Sequence, residues 1–139
     1  MSDHDARFVE ILDFEFTRDP GKPVVVSVTV AEKHRNANRV VHGSVIHALL
    51  DTVMGFEAYL AHGPVGTAEM SIRFLEPLFD GRLNATARIL KAGKRLIVMD
   101  SEVRRDGVLV AVGQGTFARV RDPRAPQVDA DGRNPTDPR

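Results

Sequence analysis

The chain contains no cysteine. That excludes disulfides, thiolate-bound metals and a thiol nucleophile, and it makes a reducing cytoplasm the natural home. Charge of one sign is also missing as an excess, because 19 basic residues balance 19 acidic ones. With no net field, neither nucleic acid nor an anionic membrane is an expected partner. No apolar run approaches the roughly 18 residues a membrane span needs, and the charged start MSDHDARF lacks the apolar core of a secretory signal. What is present is 139 residues, 42% of them hydrophobic, with no internal repeat. A chain of this size suits one globular domain, since it buries about 68–70% of its unfolded surface.

Apolar periodicity gives a layout. Residues 4–12 suggest a short helix, and ILDFEFTRDPGKP alternates before a Pro/Gly turn as a first strand would. In VVVSVTVA, β-branched residues fill both faces, and 24–31 is predicted to be a strand. The polar stretch EKHRNANRV is loop-like, and a helix is predicted from Ser44 to Tyr59, stopping before His62, Gly63 and Pro64. Segments 66–75, 82–92, 95–105 and 108–120 then read as strands separated by EPLFDG, KAGK and the hairpin signal RDG. Strand, strand, helix and four strands is an α+β order with an antiparallel sheet. The expected domain covers 1–120; residues 121–139, rich in Pro, Asp, Gly and Arg, are expected to be a disordered tail.

The helix carries the chemistry. Val45, Ile46, Ala48, Leu49, Leu50, Val53, Met54 and Phe56 surround most of its circumference, so a sheet must enclose it. Ser44, His47 and Asp51 fall on one narrow stripe that Gly55 and Ala58 continue with small residues. A carboxylate in such surroundings is paired, neutral, or opens onto a cleft. Asp51 could accept a bond from His47 one turn earlier as a purely internal pair. At the helix start, Gly43 and Ser44 lie where backbone N–H groups are unpaired, an end that attracts negative charge. Alternatively, Ser44 is a simple N-cap and Gly43 a turn residue.

The segment NANRVVHGSVIHALLDTVMG resembles the signature of the hotdog-fold acyl-CoA thioesterases, in the branch that includes the phenylacetate-pathway and 4-hydroxybenzoyl-CoA enzymes. Asn36 precedes His42 by six residues and Asp51 follows Gly43 by eight, as in that family's motif, and TAEMSIRFLEPL is similar to its next strand. The resemblance covers roughly residues 8–120, with one departure: Ser44 stands where the family has a second glycine. It implies a hotdog fold, an antiparallel sheet wrapped around a central helix, and hydrolysis of an acyl- or aryl-CoA thioester with no metal or other cofactor. Under this resemblance the Gly43 N–H stabilises the oxyanion and Asp51 is the general base or the nucleophile. Asn36 orients carbonyl or water, and the Thr67 hydroxyl assists the water; a strand threonine can equally be structural. His42 braces the turn, and His47 neighbours the base or lines the pocket. His42, His47 and Asp51 lack the further ligands a metal site needs.

Spacing adds a further expectation. Eight helical residues rise about 12 Å, so Asp51 lies too far along its own helix to serve a carbonyl held at Gly43. The base must come from a second copy, in a two-fold dimer with two equivalent sites; the family builds its sites this way and commonly pairs the dimers into tetramers. Coenzyme A phosphates need cations, and Arg73, Arg82, Lys91, Lys94 and Arg95 are candidates, unless the KAGKR turn is an ordinary solvated hairpin tip. Val45, Leu49, Met54 and Phe56 are candidates for the acyl pocket. Two rival functions are a non-catalytic acyl-CoA binder, on account of Ser44, and a hotdog dehydratase or hydratase, for which no FPGH-type segment is found.

Overall fold

A computed structural model describes residues 7–120. The expected helix start at residues 4–6 and the expected disordered tail lie outside the described residues. In chain order the elements are α1 (Phe8–Ile11), β1 (Glu15–Thr17), β2 (Val25–Thr29), a 3-10 turn (Glu32–His34), α2 (Gly43–His62), β3 (Val65–Phe74), β4 (Arg82–Ala92), β5 (Leu96–Arg105) and β6 (Val108–Arg119). The sheet has six strands in the order β1-β2-β4-β5-β6-β3, antiparallel at every pairing. It wraps around α2, which touches β2, β3, β4, β5 and β6. This is the hotdog architecture.

The apolar circumference of α2 explains its central place. Leu49, Leu50, Val53 and Met54 are fully buried, and each such side chain gains roughly 1.5–3 kcal/mol from leaving water. The sheet meets the helix closely because β6 carries glycine where side chains would collide. A Cβ on Gly113 would lie 3.1 Å from Leu50 Cδ1, and one on Gly115 3.1 Å from Met54 Cε. Val26, Val28, Leu83, Ala85, Ile97, Met99 and Val103 complete the core from the inward positions of β2, β4 and β5.

The boundaries differ from those predicted chiefly at α2 and the first strand, and β2 is also shorter, Val25–Thr29 against 24–31. α2 begins at Gly43 and not Ser44, because His42 is the N-cap and its Nδ1 accepts from the Ser44 N–H at 3.1 Å. It continues to His62, and Gly63 closes it with φ of 83° and an N–H donated to the Tyr59 carbonyl. The first strand shrinks to three residues, since only Glu15–Thr17 find partners on β2. Among the described residues no helix is long and apolar enough to cross a membrane.

Candidate active site

The helix stripe read from the sequence runs alongside β3. At its middle, the Thr67 hydroxyl donates to Asp51 Oδ1 at 2.6 Å. The pair with His47 does not form; the partner comes from the neighbouring strand, and Asp51 Oδ2 has no donor among the described residues. A one-residue bulge makes this contact possible. β3 pairs Thr67 with Phe117 and Glu69 with Thr116, leaving Ala68 as the extra residue. Strict alternation would put Thr67 on the opposite face from Met70, Ile72 and Phe74; the bulge turns it to the helix side.

Asp51 and Thr67 open onto a cavity of about 710 Å³ whose walls include Phe14, Phe16, Phe56 and Tyr59. Phe16 and Phe56 meet edge to face, ring centroids 5.4 Å apart. A half-buried carboxylate at the rim of an aromatic chamber can take a proton from water while an apolar group occupies the space beyond it. Of the expected pocket residues only Phe56 lines this chamber. Val45, Leu49 and Met54 belong to the core, because the sheet covers their faces of α2. Phe14 and Phe16, which the sequence did not single out, replace them.

The start of α2 forms a separate region. Gly43 and Ser44 are exposed and, with His47, Met70, Ile72 and Phe74, line a depression of about 350 Å³. The Ser44 N–H is engaged by His42, which braces the turn, whereas no group among the described residues accepts from the Gly43 N–H. That free donor, at the positive end of a 20-residue helix, suits a developing oxyanion. A side chain at position 43 would have its Cβ 3.4 Å from the Phe74 ring, so glycine leaves the approach open. Asn36 Oδ1 accepts from the Asn38 and Val40 N–H groups at 2.9 and 3.3 Å, closing a turn in which Arg39 has φ of 64°. Asn36 and Gly43 line one further cavity together.

Of the expected cations, Arg82 is committed elsewhere. Its guanidinium bonds Glu15 at 2.8 Å and Thr29 at 3.2 Å. Lys91, Lys94, Arg95 and Arg73 are in no ion pair among the described residues. The turn bearing Lys94 and Arg95 is fixed by Arg119, whose guanidinium donates twice to the Gly93 carbonyl. Among the described residues no three His, Asp or Glu side chains converge as a metal site requires.

A six-stranded antiparallel sheet enclosing one long central helix is the fold of the hotdog thioesterases. The chain belongs to the thioesterase superfamily, whose family model matches residues 38–112, just over half its length. It is similar to a conserved protein of Pseudomonas aeruginosa, at 32% identity and a TM-score of 0.78 over 83% of this chain and 94% of that one. A Bacillus halodurans protein solved with CoA is similar at 26% identity and a TM-score of 0.79, over 87% and 83% of the two chains. A mutant of the phenylacetic acid degradation protein PaaI from Thermus thermophilus matches at 26% identity and 0.74, over 81% and 98%.

Proposed function

We propose that the protein hydrolyses an acyl- or aryl-CoA thioester to the free acid and CoA, in two equivalent sites shared by a homodimer. The observation that carries this reading is the separation within one chain: Asp51 and Thr67 face the aromatic chamber, whereas the unpaired Gly43 N–H lies about 12 Å away, two turns along the same helix. The free edge of β3 runs beside both. Antiparallel pairing of two such edges about an axis between Met70 and Ser71 sets Thr67 of one copy opposite Phe74 of the other. Asp51 of one subunit then approaches Gly43 of the other.

In that composite site the Gly43 N–H and the helix dipole hold the thioester oxygen as charge develops. Asp51 either takes the proton as water adds to the carbonyl carbon, or attacks that carbon itself to form an anhydride that water then opens. Thr67 fixes the carboxylate. In the first route the carbon–sulfur bond breaks as the tetrahedral intermediate collapses, and the thiolate takes up the proton Asp51 drew from water. In the second the thiolate leaves as the anhydride forms, and its later opening by water releases the acid, regenerates the Asp51 carboxylate and supplies the proton. Asn36 orients the carbonyl or the water, Lys91, Lys94 and Arg95 meet the phosphates, and His47 lines the approach. The CoA-containing Bacillus structure supports a CoA ligand.

Mixing two disabled variants tests the shared site. Asp51→Asn removes the base. Gly43→Pro removes the N–H while keeping the helix, because proline is favoured at the first helical position and His42 already has the extended conformation a following proline demands (φ −60°, ψ 132°). Each alone should lose about a hundredfold or more in kcat on acyl-CoA. Mixed and re-equilibrated at equal amounts, they should regain about one quarter of the wild-type rate, since half the dimers are mixed and each has one intact site. No recovery in demonstrated mixed dimers rejects the model, and tight acyl-CoA binding without turnover by the wild type identifies a binder.

A further inference from the structure

His34 is fully buried, and no step of the proposed hydrolysis uses it. Its Nε2 bonds the Leu12 carbonyl at 2.8 Å, and its Nδ1 accepts from the Ala31 N–H at 2.8 Å. Only the tautomer with its hydrogen on Nε2 satisfies both. The His34 carbonyl accepts from the His42 N–H at 2.8 Å. A leucine would fill similar space without desolvating two ring nitrogens, so what the imidazole adds is direction.

The two ring bonds lead to opposite halves of the site. Leu12 joins α1 to β1, the segment that brings Val9, Phe14 and Phe16 to the chamber wall. Ala31 is the N-cap of the 3-10 turn that ends at His34. That turn presents the carbonyl holding His42, and His42 caps α2 and engages the Ser44 N–H, leaving the Gly43 N–H next to it free. We propose that His34 is a positioning residue that couples the chamber wall to the start of α2, one ring nitrogen serving each.

This inference rests on the thioesterase reading, and two substitutions separate the roles of the nitrogens. Glutamine places an amide N–H near the position of Nε2 and retains the Leu12 bond, but it has no acceptor at Nδ1. Asparagine places its amide oxygen near Nδ1 and retains the Ala31 bond, but it falls short of Leu12. With acyl-CoA as substrate, His34→Gln should lower kcat about tenfold with KM nearly unchanged, and His34→Asn should raise KM several-fold with kcat nearly unchanged. Each variant makes its own prediction, so one that folds suffices. Equal kcat and KM effects in both variants, tracking their loss of Tm, would show a merely structural residue.

If the wild type turns over no acyl-CoA, the thioesterase reading fails and amide hydrogen exchange still decides this proposal. His34→Gln should speed exchange at the His42 and Ser44 N–H groups while sparing that of Phe14, which is bonded to the Val9 carbonyl. His34→Asn should do the reverse. Uniform acceleration at all three would overturn it.

Discussion

At one edge of the sheet, β1 is three residues long and its Glu15 is held by Arg82 of β4. At the other, β3 runs for ten residues with no strand on its outer side among the described residues, and Phe74 at its end is 57% exposed. A short edge with a charge clamp resists further pairing, whereas a long bare edge flanked by apolar side chains invites it. The open edge is also the one that passes both Asp51 and Gly43. In the proposed shared-site reading the open edge is where a second copy would pair, and the predictions below test that contrast from the strongest effect downward.

Breaking the β3 edge should have the largest consequence. Met70→Glu with Phe74→Glu puts like charges on both sides of the expected axis, and sedimentation should find a monomer with hydrolysis at least about a hundredfold below wild type. Because Phe74 also lies near Gly43, the mutation-free version matters: diluting the wild type until dimers dissociate should lower the rate per chain in parallel. A monomer with the full rate ends the shared-site model. A matching charge on β1, Phe16→Glu, should leave the dimer intact.

Next comes the bulge that aims Thr67. Thr67→Val deletes the bond to Asp51 with little change in volume. One such bond to a charged, partly exposed group is worth about 1 kcal/mol, so kcat should fall about fivefold, and Thr67→Ser should restore it. A valine variant as fast as wild type would make the contact a structural one. Smaller still is Ser44→Gly. The Ser44 N–H is already taken by His42 and the side chain is exposed, so the rate should change by less than about threefold. A large gain would mean that the serine crowds the substrate.

These contrasts also show how far the sequence could be read. The helix, β2 and the four long strands follow from apolar periodicity, because burial on one face or all round leaves its period in the chain. The Thr67 contact does not. In TAEMSIRF the polar residues Thr67, Glu69, Ser71 and Arg73 alternate with apolar ones, which assigns Thr67 to the outer face, and only the register against β6 reveals the extra residue at Ala68. Local spacing suggested His47 as the partner of Asp51, but tertiary pairing supplied one sixteen residues away. The chamber escaped for a related reason: alternation marks Phe14 and Phe16 as one face of a first strand, but only the tertiary placement of that short strand beside α2 makes the face a chamber wall. His34 lay in a stretch that read as polar loop, with nothing in EKHRNANRV to mark it as buried.

The smallest expected effect belongs to the clamped edge. The Glu15 carboxyl is held below its ordinary pKa by the hydrogen bond from Arg82 and then by the charge of that guanidinium, with desolvation and the charge of Asp13 opposing them. A carboxyl whose folded value is depressed contributes stability that is fully present above its unfolded value and is lost as pH falls through the folded one. The window is therefore the acid side of ordinary glutamate titration, and nothing should change around neutrality. Because both groups face solvent, Glu15→Gln should shift Tm by no more than about two degrees at pH 7 and should flatten part of the acid-induced decline, an effect that about 1 M salt also removes. If instead Glu15→Gln caused a large loss of Tm at pH 7 or converted the dimer to larger assemblies, β1 would be a guarded pairing edge in its own right, and the contrast with β3 would need a different explanation.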